Sequence, residues 1–231
     1  MPTFASRKES LDLELEAARR CESTGDPNAL GWYLRAAVSH LSIAIKEVPG
    51  IAEGEDYLRE EGFLSMMEKL LPEVEKALVE AKAGRSAAPG GNYPYLAFAH
   101  ACWLLDRDDL GSRWIAISCE PCIMEVSTKF WQQYAKTMQA FAANQPCQVI
   151  DMKLRAEEQF WVHYLHLMQD LCHCRSVTSS LSMVEEAFRQ RNAAKRESTP
   201  PTIEPSGLTP AVWDFRKEAI LRYARRHFTQ D

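Results

Sequence analysis

The chain has no apolar run approaching the roughly 18 residues that a membrane-spanning helix needs. Its first stretch, residues 1–22, is charged throughout and lacks the apolar core of a signal peptide. There is no surplus of positive charge: 27 Lys and Arg stand against 32 Asp and Glu, a net charge of −5. A general nucleic-acid binder is expected to show the opposite balance. Alternation of apolar and polar residues at period two is missing, and Val149-Ile150 is too short for a strand. No phosphate loop occurs, since Gly90-Gly91-Asn92 matches neither nucleotide fingerprint. These absences argue against a membrane partner, a nucleic-acid partner and a β-fold, and they make a cytoplasmic protein the expectation. The seven cysteines are an odd number scattered over 231 residues, which suits reduced thiols better than a disulfide framework.

What is present is apolar spacing of three and four residues, the mark of helices. The densest stretch runs from Tyr93 to Ala143 and carries Trp103, Trp114 and Trp131. Asn92 is a candidate cap for its first helix, with Pro94 in the first turn. Leu96, Ala99 and Trp103 then share a face. Asp106-Arg107-Asp108-Asp109 interrupts the run, and Asp108 or Asp109 is placed to cap a second helix bearing Leu110, Trp114 and Ile117. So short a connection makes antiparallel neighbours, with the tryptophans packed between them. Cys119-Glu-Pro-Cys122 reads as a turn. Ser127 opens the next helix, which carries Phe130, Tyr134, Met138 and Phe141 and ends at Asn144–Pro146.

Upstream, Leu11, Leu15 and Ala18 mark a first helix ending before Gly25. Asp26 is placed to cap a second, with Pro27 just inside it and Leu30, Leu34, Ala37, Leu41 and Ile45 as its stripe, stopped at Pro49-Gly50. Residues 51–56 read as a loop. Tyr57, Leu64, Met67, Leu71, Val74 and Leu78 follow as one long helix or two in series, with Pro72 expected to kink it or open its second half. Downstream, Leu154 to Cys172 and Ser180 to Lys195 read as helices. Ser198 to Thr209 is a loop, and Thr209-Pro210 opens a last helix with Val212, Trp213, Ile220, Tyr223 and Phe228. The expected fold is all-α, about nine helices in antiparallel hairpins, as a bundle or a tetratricopeptide-like stack. Small and flexible residues from 84 to 92 divide an N-terminal helical subdomain (1–83) from a C-terminal one (93–231), which are also able to pack as one domain.

Metal-like spacing occurs twice. Cys119-x-x-Cys122 and Cys172-His-Cys174 together could supply four thiolates to zinc, but buried free cysteines explain them as well. His163 and His166 with Glu157 and Glu158 do not make the Glu-x-x-His pair of bundle metal sites. No cofactor and no catalytic residue are therefore expected. Charge is more informative. Residues 47–80 hold ten acidic side chains against Arg59, Lys69 and Lys76, and Glu53, Glu55, Asp56, Glu60 and Glu61 cluster within them. From Arg189 onward the chain is locally basic. Solvated helix faces account for both in many proteins. The functional alternative is an acidic surface that receives a basic protein.

The hairpin Ala97 to Ile117, with Trp103-Leu104-Leu105-Asp106 entering its turn, and the closing Trp213-Asp214-Phe215-Arg216 resemble the mostly α-helical immunity proteins of bacterial polymorphic-toxin systems. The resemblance implies a non-enzymatic module that binds and neutralises one cognate toxin in the producing cell. Two other readings stay open at this level: a helical-repeat adaptor or regulatory scaffold, and a zinc-stabilised or metal-dependent helical enzyme. In the binding readings, Glu53, Glu55, Asp56, Glu60 and Glu61 form the expected contact surface.

Overall fold

A computed structural model describes residues 4–143, 145 and 210–227. Within the described residues the chain is all-α, with nine helices and no strand. They are α1 (Phe4–Thr24), α2 (Ala29–Lys46), α3 (Ile51–Glu60), α4 (Phe63–Lys82), α5 (Asn92–Leu104), α6 (Asp108–Ser118), the short α7 (Pro121–Glu125), α8 (Lys129–Ala142) and α9 (Pro210–His227). α1 pairs with α2, α5 pairs with α6, and α9 lies along α5. The expected helices over 154–172 and 180–195, with Val149-Ile150, Glu157, Glu158, His163, His166, Cys172 and Cys174, fall outside the described residues.

The apolar stripes place these helices. Leu11 and Ala18 bury one face of α1 against α2, where Ala36, Ala37, Leu41, Ile43 and Ala44 are buried in turn. α4 buries Met67, Leu70, Leu71, Val74 and Leu78 at three- and four-residue steps. A continuous core then runs from Ala37 of α2 to Ala224 of α9. It therefore crosses the exposed 83–87 connection that divides the chain by composition.

Several helix boundaries differ from the sequence reading. Residues 51–56 are not a loop, because α3 begins at Ile51 directly after Gly50. The break in the long pattern falls at Gly62, whose φ of 68° no β-branched residue would accept. Pro72 does not open α4. It sits inside the helix with its ring exposed, so the carbonyl that loses a partner faces water. Asp26 does not cap α2, which starts at Ala29; its carboxylate accepts the Asn28 amide instead, at 2.9 Å. Asp108 and Asp109 lie within the first turn of α6 rather than at its cap position, Arg107 being the residue before the helix. Ser127 precedes α8 without capping it. Its hydroxyl donates to the Ile123 carbonyl at 2.8 Å and accepts the Asn92 N–H at 3.0 Å. Asn92 is likewise no cap but the first residue of α5, and its buried side-chain amide donates to the Trp131 carbonyl at 2.8 Å.

α5 is the centre of the molecule. Ten of its thirteen residues are buried, so Leu96, Ala99 and Trp103 mark one of several buried faces rather than a single stripe. Trp103 lies against Tyr223 of α9, tilted by 31° with centroids 4.2 Å apart, and meets Phe141 of α8 at 6.0 Å. Trp114 lies parallel to Tyr95 at 5.8 Å and edge-on to Phe98 at 5.4 Å. The α5–α6 hairpin closes this tightly because position 111 is glycine. A Cβ there would stand 2.6 Å from the Trp103 indole nitrogen and 3.0 Å from the Ala99 carbonyl oxygen. α5 ends in a Schellman turn, with Arg107 N–H on the Cys102 carbonyl and Asp106 N–H on that of Trp103. The left-handed residue, usually glycine, is here Asp106 at φ 60°.

Candidate partner-binding surface

The acidic cluster sits on α3, and α2 fixes where α3 lies. Gly54 is buried against the backbone of α2; a Cβ there would meet the Ala44 carbonyl oxygen at 2.5 Å. Leu58, one turn on, is fully buried. With Gly54 and Leu58 facing inward, Glu53, Asp56 and Glu60 stand at i, i+3 and i+7 on the outer side, all exposed. None of the three carboxylates has an ion-pair partner among the described residues.

The other two acidic residues are occupied. Glu61 lies 3.5 Å from Lys8 of α1, both side chains well exposed. Glu55 turns away from the open face and is bound by two guanidiniums, Arg59 at 2.8 Å and Arg222 of α9 at 2.8 Å. Burial works to raise the Glu55 carboxyl, but the hydrogen bonds from Arg59 and Arg222 outweigh it and hold it below its ordinary range. The structure thus brings Glu53, Asp56 and Glu60 onto one open face and assigns Glu55 to the fold. Beneath them, Tyr57 shares a hydrogen bond with His40 at 3.1 Å. Burial, then Glu61 and Asp12, push the Tyr57 phenol up to about 12.

α9 carries the opposite charge, and part of that charge faces inward. Arg216 is 1% exposed, with Tyr93, Trp131 and Tyr134 ring centroids 5.3, 5.2 and 5.4 Å from its guanidinium carbon. Three rings around a desolvated cation are a favourable seat. Arg222 also donates to the Leu104 carbonyl at 3.1 Å. Arg226 donates to the Trp103 carbonyl at 2.7 Å and pairs with Asp106 at 2.7 Å and Asp108 at 2.6 Å, while a His227 ring nitrogen lies 2.7 Å from Asp108. Arg222 and Arg226 serve the open carbonyl end of α5. Counting charges along the chain treated them as a solvated basic face and missed this. A signal was available for Arg216, which falls on the Val212–Ala219–Tyr223 stripe.

Cys119 and Cys122 are free thiols, both half-buried, with Cys122 in α7 rather than in a turn. Among the described residues no group of three His, Cys, Asp or Glu side chains is gathered as a metal site would need. No helix in that set is long and apolar enough to cross a membrane. No known protein family, curated protein or solved structure matches the chain.

Proposed function

We propose that this chain is a non-enzymatic protein-binding module whose open α3 face receives a basic protein, in keeping with its resemblance to toxin-neutralising immunity proteins. One observation carries the reading. Glu53, Asp56 and Glu60 share an exposed face with no counter-charge among the described residues, on a helix pressed against α2 at Gly54. Like charges this close repel, so the arrangement costs helix stability and gains only when a cation arrives. Such a face steers a cationic partner and speeds its encounter.

The test starts from a pull-down with mass spectrometry in the native host. Association of the recovered partner is then measured against ionic strength, for wild type and for Glu53→Lys/Asp56→Lys/Glu60→Lys. The triple reversal is expected to slow association by about tenfold or more at low salt and to flatten its salt dependence. An unchanged rate and slope would move the contact surface elsewhere. Glu55 is left out of this set because its reversal would break the Arg222 pair and confound binding with folding.

A further inference from the structure

Among the described residues a groove follows the outer side of α2. Its deep end is a cavity of about 90 Å³ between α2, α5 and α9, lined by Val38, Ile45 and Phe215 with Lys46 and Arg216 at its polar side. An engineered cavity of roughly 150 Å³ holds benzene, so this one suits the end of a single leucine or valine side chain. Val38 and Pro94 carry the groove on toward Leu34 and Gly31, and Gly31 and Arg35 carry it to Trp32. Positions 31, 34, 38 and 45 share one face of α2. The fold does not ask for two of the residues there. Val38 is a branched apolar side chain in mid-helix and is 40% exposed. A Cβ at Gly31 would meet no described atom within 4 Å, although glycine weakens a helix relative to alanine; what it offers is close approach to bare backbone. The flanks are cationic. Arg35 is exposed, its guanidinium carbon 4.8 Å from the Trp32 ring centroid, and Lys46 stands exposed at the other end. The carboxylates beside the groove are already bound: Glu14 accepts from Ser39 at 2.7 Å and lies 3.6 Å from Arg35, and Asp26 accepts from Asn28.

We infer that the α2 groove binds a helix of a partner protein that is apolar along one face and acidic at both ends. Arg35 and Lys46 stand about three helical turns apart, about 16 Å along the axis. The matching helix therefore places its carboxylates about three turns apart, with aliphatic side chains at i, i+4 and i+7 between them. One of those side chains fills the cavity beside Phe215, and the helix backbone comes closest at Gly31. The aliphatic contacts supply most of the affinity, while Arg35 and Lys46 fix orientation and choice of partner. This surface shares no residue with the open α3 face and selects the opposite charge, so it stands whether or not the reading of α3 does.

The experiment uses the full chain and a stapled helical peptide with leucines along one face and glutamates at both ends. Its twin, with lysines in place of the glutamates, is the control, and binding is read by fluorescence anisotropy. The glutamate peptide is expected to bind about tenfold or more tightly than its twin, and Arg35→Glu/Lys46→Glu to reverse that order. Val38→Glu should weaken the glutamate peptide by about tenfold or more. Gly31→Leu supplies a readout that a merely structural role would not give. It should raise Tm, because leucine is the better helix former, and at the same time weaken the probe about tenfold by filling the floor of the groove. Equal binding of the two peptides, binding of neither, or wild-type affinity in Gly31→Leu would overturn the inference. So would sedimentation that finds the wild type dimeric and Val38→Glu monomeric, since the groove would then hold a second copy of this chain.

Discussion

α5 and α3 are the same kind of element put to opposite uses. α5 has ten of thirteen residues buried and touches α2, α6, α8 and α9. α3 buries only Gly54 and Leu58 out of ten. In α5 almost every side chain is answerable to a neighbour, so its sequence is constrained by packing. In α3 Gly54 and Leu58 are buried, Ile51, Tyr57 and Glu55 are held in part, and Glu53, Asp56 and Glu60 are left to solubility or to a partner. The contrast teaches where to look for each kind of information: fold in the helix that is apolar on all sides, function in the helix whose charged residues packing does not require.

The comparison breaks most visibly at Trp103. Trp103→Ala should destabilise the protein by about 3–5 kcal/mol, the range for deleting a buried large aromatic, read as a lower urea midpoint at unchanged slope. Gly111→Ala, from the other side of the same contact, should cost about 1–3 kcal/mol, since a Cβ must push the indole aside. If both were neutral, α5 would not be the tightly packed centre. At α3, Gly54→Ala sets a Cβ against the Ala44 carbonyl oxygen, and backbone yields less readily than a side chain. About 1–3 kcal/mol is expected, with the α3 amides losing hydrogen-exchange protection before those of α5.

A pH titration sharpens the same contrast. His100 of α5 is wholly buried, its Nδ1–H donating to the Leu96 carbonyl and its Nε2 lying 3.3 Å from the Tyr134 hydroxyl. Burial first, then the nearby Arg216 cation, hold its pKa well below the ordinary value, with the Leu96 bond opposing. The folded protein therefore keeps His100 neutral at acidities where the unfolded chain has taken up a proton, below about pH 6.5. The unfolded state binds more protons there, so stability should fall as pH falls, by about 1.4 kcal/mol per pH unit. His40, lowered by burial, adds in the same direction. The Glu55 contribution runs in a separate, lower window: present above the unfolded carboxyl value and lost as pH falls through the folded one. His100→Gln should flatten the slope between about pH 6.5 and 5.5; an unchanged slope would mean that His100 is accessible to protons in the fold. The smallest effect belongs to the open face. Glu53→Gln/Asp56→Gln/Glu60→Gln should leave stability within about 0.5 kcal/mol of wild type, because no contact among the described residues depends on those carboxylates.

Much of this was legible beforehand, and the limits have physical causes. Apolar spacing located α1, α2, α4, α5, α6, α8 and α9 because each hides a face or more. It read the first part of α3, residues 51–56, as a loop and joined the rest to α4, since the inward face of α3 is a glycine and one leucine, with no stripe to detect. The break at Gly62 and the continuity through Pro72 came out reversed, because a proline on an exposed face costs a helix less than a buried one. On the acidic segment, sequence could name five residues but not divide them. Glu55 separates from Glu53, Asp56 and Glu60 through Arg59 and through Arg222, which lies 167 residues away. The hold on Arg222 and Arg226 was hidden for the same reason: each donates to a carbonyl at the end of another helix, and a carbonyl carries no letter in the sequence.

The contact of Trp103 with Tyr223 also has a consequence for the order in which the molecule can be made. Contacts between α1 and α2, or α5 and α6, join near neighbours and are able to form as soon as those stretches emerge from the ribosome. The Trp103 neighbourhood joins residues 123 positions apart, as the Arg226 bond to its carbonyl records. Closing so long a loop has an entropic cost that only finished packing repays. Until Tyr223 has been synthesised, the aromatic surface around Trp103 lacks that partner. A nascent chain stalled before residue 210 should therefore be the species most prone to chaperone capture, and one released beyond residue 227 much less so.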